Sequence, residues 1–324
     1  MSVAGTVRVL RGGHVESVHR FVWRLADTDG TVRHGGDIGW VFLRSSVKPF
    51  QALPSVRGGV LERFGLDDRH LAVGCSSHGG GEEHVARVAE ILEASGVGED
   101  ALACGPAIPR DPRAAAALDG PPRRIHHNCS GKHALGLALC VADGWPVEGY
   151  LEPGHPLQNA MRTAIADATH APAHHFPDAI DGCGMRTYAL ALEGLALAFA
   201  HLAGGAMDGA AARVARAMRE HPMLVGHAGS IDSEFMAAEP GTVAKIGAEG
   251  VMAIGTAEGR GLAIKVLDGN ARALDPAAVL CARELLGLSL DTAALDALAT
   301  PPLVNSRGEV VGELQAVLKE PAHR

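Results

Sequence analysis

Strand-forming stretches stand at both ends of this chain and helix-forming stretches fill its middle. That order is the strongest constraint on its fold. TVRVL and HVESVHRFVWRLA (14–26) are rich in Val and aromatic residues, DTDG (27–30) is a turn signal, and TVRHGGDIGWVFLR continues the run to residue 44. Helical spacing then takes over in EEHVARVAEILEASG (82–96), HPLQNAMRTAIADAT (155–169), TYALALEGLALAFAHLA (187–203) and MDGAAARVARAMREH (207–221). Strands return at TVAKIGAEGVMAIG (242–255) and GRGLAIKVLDG (259–269), with AEGRG as the turn of a hairpin. DPAAVLCARELLGL (275–288) reads as a closing helix, with Asp275 as its cap and Pro276 at its first position.

This pattern predicts an α+β fold: an antiparallel sheet built from N- and C-terminal strands, covered by helices, with a helical middle lobe. We expect a single domain over residues 1–324, the sheet part near 1–50 and 240–324 and the helical part near 51–239. PAIPRDPRAAAALDGPPRR (106–124) is expected to be a mobile loop.

Charge and cysteine usage narrow the function classes. A net charge of -8, with acids and bases interspersed, leaves no footprint for nucleic acid or an anionic membrane. The N-terminus MSVAGTVRVLRGG has no apolar signal core and no 18-residue apolar run appears, so a cytoplasmic protein without a membrane span is expected. The six cysteines (75, 104, 129, 140, 183, 281) lie far apart; in the cytosol they point to burial, catalysis or metal binding rather than disulfides.

Four short motifs carry chemistry. In RSSVKPF, Ser45 and Lys48 are three apart where a helix should start, because Pro49 lacks an N–H and belongs in a first turn. A lysine accepts a serine proton only when neutral, which requires burial or a neighbouring positive charge. The alternative is a capping serine beside an exposed lysine. CSSHGGGEEH (75–84) offers Ser77 and backbone N–H groups to a ligand, or simply caps a helix. HNCSGKH (127–133) and DGCGMR (181–186) each place a cysteine among glycines, which suits two soft metal ligands or two reduced thiols. VAKIGAEGV (243–251) sets Lys245 two residues before Gly247, the lysine–x–glycine element that accompanies Ser-x-x-Lys in serine acyl-transfer enzymes.

RGGHVESVHR (11–20), RSSVKPFQ (44–51), CSSHGG (75–80), HHNCSGKHA (126–134), DGCGM (181–185) and KIGAEGV (245–251) together resemble the thermolabile L-asparaginase II family of rhizobial type. The resemblance covers nearly the whole chain. It implies a serine β-lactamase/glutaminase-like fold and two Ser–Lys pairs, Ser45 with Lys48 and Ser77 with Lys245. Ser45 would be the nucleophile and Lys48 its base; Ser77 and Lys245 would assist proton delivery to the leaving ammonia. It also implies zinc bound by Cys129, Lys132 and Cys183, with Asp181 beside that site, a lysine ligand being possible only as a free amine. Glu16, His19, Arg44 and His133 fall in matching segments as polar contacts, and a homodimer is implied.

Two departures stand out. Ile246 replaces the threonine expected between Lys245 and Gly247, and HPMLVGHAGSIDSE (221–234) has His227 and Ser230 where threonine and arginine are expected. The expected activity is hydrolysis of L-asparagine to L-aspartate and ammonia through a serine acyl-enzyme, with a backbone oxyanion site that includes the Ser45 N–H. Asp181 or Glu16 would hold the substrate ammonium, Arg44 or a histidine its carboxylate. A glutaminase or other serine acylase of the same fold, and a non-catalytic zinc-dependent amino-acid binder, are the alternatives. CSSHGG lacks the S-x-N element, which argues against penicillin recognition.

Overall fold

The longest strand among the described residues, His14–Asp27, pairs with strands from both the start and the later part of the chain. The computed structural model describes residues 2–172 and 176–319. In chain order its strands are β1 (Gly5–Arg11), β2 (His14–Asp27), β3 (Val32–Gly35), β4 (Val41–Phe42), β5 (Asp178–Ile180), β6 (Arg186–Leu190), β7 (Val243–Gly247), β8 (Val251–Gly255), β9 (Arg260–Val266), β10 (Pro302–Val304) and β11 (Val310–Leu318). The fold is α+β, as expected.

The chain forms two compact units. The first takes the residues up to Ser46, Leu190–Ala206 and everything from Glu234 onward. Its sheet runs β10-β11-β1-β2-β9-β8-β7, with β3 on β2. The β1–β2 and β8–β9 pairs are antiparallel hairpins, the first with a register shift between Val9 and Leu10. The C-terminal strand β11 pairs with β1 from Gly5↔Leu318 to Arg11↔Gly312, which closes the two chain ends into one sheet.

The helix Leu192–Gly204 packs on β2, β8 and β9 of this sheet. Gly255 and Gly261, paired across β8 and β9, make that approach possible. A Cβ on either would lie 2.0 Å from the Phe199 carbonyl or 1.9 Å from the Ala196 carbonyl, so only glycine fits. Buried Arg24 on β2 donates to Glu193 at 2.9 Å and pins the helix start.

The second unit, Val47–Ala189 with Met207–Ser233, is mainly helical. Its helices Glu82–Ser95, Pro156–Thr169 and Gly209–Glu220 match the segments with clear 3.6-residue spacing. Ser130–Asp143 is a further helix, buried on nearly all sides through Cys140. With its polar side chains confined to the first turn and to Asp143, it shows no amphipathic stripe in the sequence.

Two expectations are corrected. Thr187–Leu190 is strand β6, not helix, and pairs with β5 at Asp178↔Tyr188; the helix starts only at Leu192. The aromatic and branched side chains of TYAL suit a buried strand, and the apolar run that follows hid the boundary. Asp275 does not cap the closing helix. A 3-10 turn over Ala271–Ala273, capped by Asn270, leads directly into the helix Leu274–Cys281, and the rest of the segment is a π-helical turn over Ala282–Leu286. Pro276 still sits in the first turn, where its missing N–H costs nothing. The 106–124 segment contains a short helix, Pro112–Ala116. Among the described residues no single helix is long and apolar enough to cross a membrane.

Candidate active site

In the second unit Lys48 opens the helix Lys48–Gln51, whose cap is Val47 and makes no side-chain capping bond. The surface alternative fails, since Lys48 is 0% exposed and no serine caps the helix. The Lys48 amine donates to the Ser76 carbonyl at 2.5 Å, to Ser77 Oγ at 3.1 Å and to Cys129 Sγ at 3.2 Å. Burial pushes its proton affinity below the ordinary lysine range. The Cys129 sulfur opposes this shift and the charge on Lys132 adds to it. Ser77 does not cap a helix either: Gly81 holds that position for Glu82–Ser95.

The two predicted cysteines come together. Cys129 precedes the helix Ser130–Asp143, and Cys183 sits in a tight turn where Gly184 N–H donates to the Asp181 carbonyl at 2.9 Å. Both are nearly inaccessible. The two thiols shift each other in opposite directions. The hydrogen bond from Cys129 stabilises the Cys183 thiolate against the cost of burial, with help from Lys132. The same bond and burial hold Cys129 as a thiol. Lys132 Nζ lies 3.4 Å from Cys183 Sγ. Burial works against its charge, but Cys183, Cys129 and Asp181 outweigh it and raise the amine above its usual range. Asp181 is therefore electrostatically part of this cluster, with its Oδ1 accepting the Gly182 N–H at 2.8 Å.

His133, one residue after Lys132, is wholly buried, and burial lowers its pKa. Its Nδ1 meets Tyr150 Oη at 2.5 Å, and Tyr150 Oη accepts the Ala103 N–H at 2.9 Å. Its Nε2 is buried without hydrogen-bond geometry to any described group, although the Cys183 sulfur is close enough to act on the ring. His127 receives the Cys129 N–H on Nδ1 at 3.0 Å, and burial lowers its pKa to about 4. Among the described residues no group of three or more His, Cys, Asp and Glu side chains is placed to hold a metal ion. A metal at the cysteine pair would need the lysine amine as a donor.

The first unit holds Glu16, Arg44, Ser45 and Lys245. Ser45 is half-buried in the 3-10 turn Arg44–Val47, directly after Arg44, which adopts the left-handed φ of 53°. Such a conformation costs about 1–3 kcal/mol in a non-glycine residue and is retained where the surroundings enforce it. The neighbouring Ser46 donates both its N–H (3.2 Å) and its hydroxyl (2.6 Å) to the Leu43 carbonyl.

Strand β7 lies against this turn. A Cβ on Gly247 would fall 2.8 Å from the Leu43 carbonyl oxygen and 3.3 Å from Ser46 N. Lys245, two residues earlier on the same face of the strand, is 0% exposed, while Ile246 points the other way and is half-buried. Glu16 stands apart near the β1–β2 turn in an exposed pair with Arg11 at 3.0 Å. His19 is engaged by Asp268 at 2.6 Å and Arg272 at 2.9 Å, a structural tie between β2 and the segment after β9.

The sequence reading missed the contact of Lys48 with Cys129, the Tyr150 hydroxyl behind His133, and the role of the Ser76 carbonyl. Nothing local marks Tyr150 or Ser76; the Lys48–Cys129 contact joins residues 81 apart.

A family model for L-asparaginase II matches residues 7–316. No curated protein matches the sequence. Among solved structures, "Crystal Structure Analysis of Mglu in its native form" is similar at 15% identity and a TM-score of 0.47, over 85% of this chain and 66% of the other. The chain thus spans slightly less than two thirds of that protein's length.

Proposed function

The chain belongs to the L-asparaginase II family and is an asparaginase-type hydrolase, and on that premise we propose that it converts L-asparagine and water to L-aspartate and ammonia through an acyl-enzyme on Ser45. Ser45 Oγ attacks the side-chain amide carbon and its proton passes to Lys48. The C–N bond then breaks, and ammonia leaves with a proton delivered with the help of Ser77 and Lys245. Water attacks the resulting ester, gives up its proton along the same route, and releases aspartate with Ser45 restored.

The observation that carries this reading is the state of Lys48: fully buried, with its proton affinity lowered and its amine on the Ser77 hydroxyl, the second serine of the proposed pairs. Ser45 precedes Lys48 by three residues, so their backbones lie within roughly 11 Å along the chain. Asp181 is assigned the substrate ammonium in preference to Glu16, which Arg11 already engages. Arg44 and His133 are assigned the carboxylate.

The residues around Cys183 fit zinc. Two buried sulfurs act on each other, a lysine amine lies against one of them, and His133, whose Nε2 has no geometric hydrogen bond among the described residues, acts on the same sulfur. Cys129, Lys132 and Cys183 would hold the ion, whose positive charge would orient a polar substrate. A cytoplasmic homodimer completes the reading, and sedimentation of the purified chain checks its assembly.

Ammonia release from L-asparagine and L-glutamine, beside Ser45→Ala, tests the proposal. Release from asparagine that is lost in the variant is expected. Parent-rate release by Ser45→Ala refutes the nucleophile, and release from glutamine alone replaces the substrate.

A further inference from the structure

Residues 76–81 run without regular structure between the helices Asp68–Gly74 and Glu82–Ser95, and Ser76 through Gly80 are all buried. Main-chain bonds hold the segment on two sides. Ser77 and Gly79 donate to the Val225 and Gly226 carbonyls at 2.9 and 3.0 Å, and His78 donates to the Asn128 carbonyl at 3.2 Å. The imidazole of His78, itself 0% exposed, adds another tie. Its Nε2 lies 2.8 Å from Ser130 Oγ, and its Nδ1 accepts the Gly80 N–H at 3.1 Å.

The proton on this ring follows by elimination. Ser130 has a single hydroxyl proton, donated to the Ile125 carbonyl at 2.8 Å, so Ser130 Oγ accepts from His78. Nδ1 must present a lone pair to Gly80. One state meets both demands, a neutral ring protonated on Nε2. A histidine that only fills space needs neither bond. This one joins the residue after Ser77 to the residue after Cys129, and Ser77 Oγ and Cys129 Sγ are two of the three groups on the Lys48 amine.

We infer that His78 is a positioning residue, which through Ser130 holds the Ser77 hydroxyl and the start of the Ser130–Asp143 helix in place around the Lys48 amine. The rate consequences rest on the asparaginase reading; the brace itself does not. Substitutions separate the two ring nitrogens. His78→Gln keeps a donor at the reach of Nε2 and gives up the acceptor, whereas His78→Asn keeps an acceptor for Gly80 and gives up the donor. Ser130→Ala removes the other end of the bond with almost no change in volume.

The kcat for ammonia release is expected to fall about 10- to 100-fold in His78→Asn and in Ser130→Ala, with KM within about threefold, while His78→Gln recovers most of the rate. The His78→Asn/Ser130→Ala double variant should fall no further than Ser130→Ala alone, which loses the same His78–Ser130 bond and the Ile125 bond besides. Parent rates in both singles, or losses that add, overturn the inference. Alkylation of Cys129, followed by peptide mass spectrometry, reads the brace without turnover. It should speed up by about tenfold or more in His78→Asn and Ser130→Ala and not in His78→Gln. Equal alkylation in all of them overturns the brace whatever the activity. An inactive parent with the expected alkylation pattern removes the asparaginase reading and leaves the brace standing.

Discussion

Gly247→Ala adds one methyl group where β7 has no room for it. The new Cβ would sit 2.8 Å from the Leu43 carbonyl oxygen, 3.2 Å from Val251 Cβ and 3.3 Å from Ser46 N. Relieving the first contact takes a shift of about 0.5 Å, because a carbon–oxygen pair much closer than van der Waals separation is repulsive. Strand β7 is paired with β8 along its whole length, from Val243↔Gly255 to Gly247↔Val251. The clash falls on the oxygen at the head of the Arg44–Val47 turn, the one that receives both bonds from Ser46. The turn is therefore the part that yields, and Ser45 moves with it. Overpacking of this kind costs about 1–3 kcal/mol, and misplacing a reacting group by up to 1 Å costs as much as about 100-fold in rate. We expect kcat for ammonia release to drop about 10- to 100-fold, and urea unfolding to show a loss of about 1–3 kcal/mol. A destabilised variant with the parent kcat would show that β7 does not set the position of Ser45. Parent values in both assays would refute the packing of β7 against the turn.

Burial of Lys48 sets a pH dependence. The neutral amine is the working form, so kcat/KM should rise with pH to half-maximum below the ordinary lysine value of about 10.4, and this limb should be absent from Lys48→Met. Unfolding returns the amine to that ordinary value and so takes up protons. The Lys48 contribution to stability therefore increases with pH between its depressed folded value and about 10.4. A parent-minus-Lys48→Met stability difference that is flat across this window would contradict the lowered proton affinity of the buried amine. Cys183→Ser removes the thiolate that faces Lys132. Zinc affinity should fall by about tenfold or more with the far-UV circular dichroism unchanged, and unaltered metal content would strike Cys183 from the donor set.

Much of the architecture was legible because its signals are local. The alternation through β2, the turn at 27–30 and the β8–β9 hairpin all lie within a few residues of the bonds they predict. The helices Glu82–Ser95, Pro156–Thr169 and Gly209–Glu220 carry amphipathic spacing, and the last has Asp208 as its cap. Where burial is complete, this signal fades. Ser130–Asp143 has no polar face to betray its period, and the apolar run after β6 looks the same as the strand before it.

The sequence by itself determined the α+β order and which serines, lysines and cysteines stand in motifs that can carry chemistry, but not the last strands, β10 and β11, which pair the end of the chain with β1. Tertiary structure alone decided what state those residues are in. Only the packed fold excludes water from Lys48 and brings Cys129 onto its amine. Only there do Cys129 and Cys183, 54 residues apart (183 - 129), act on each other's protonation. Only there does the ring of His78 find Ser130. Periodicity and capping are written in near neighbours, whereas proton affinity and hydrogen-bond partnership depend on burial and charges that distant segments supply when the chain folds.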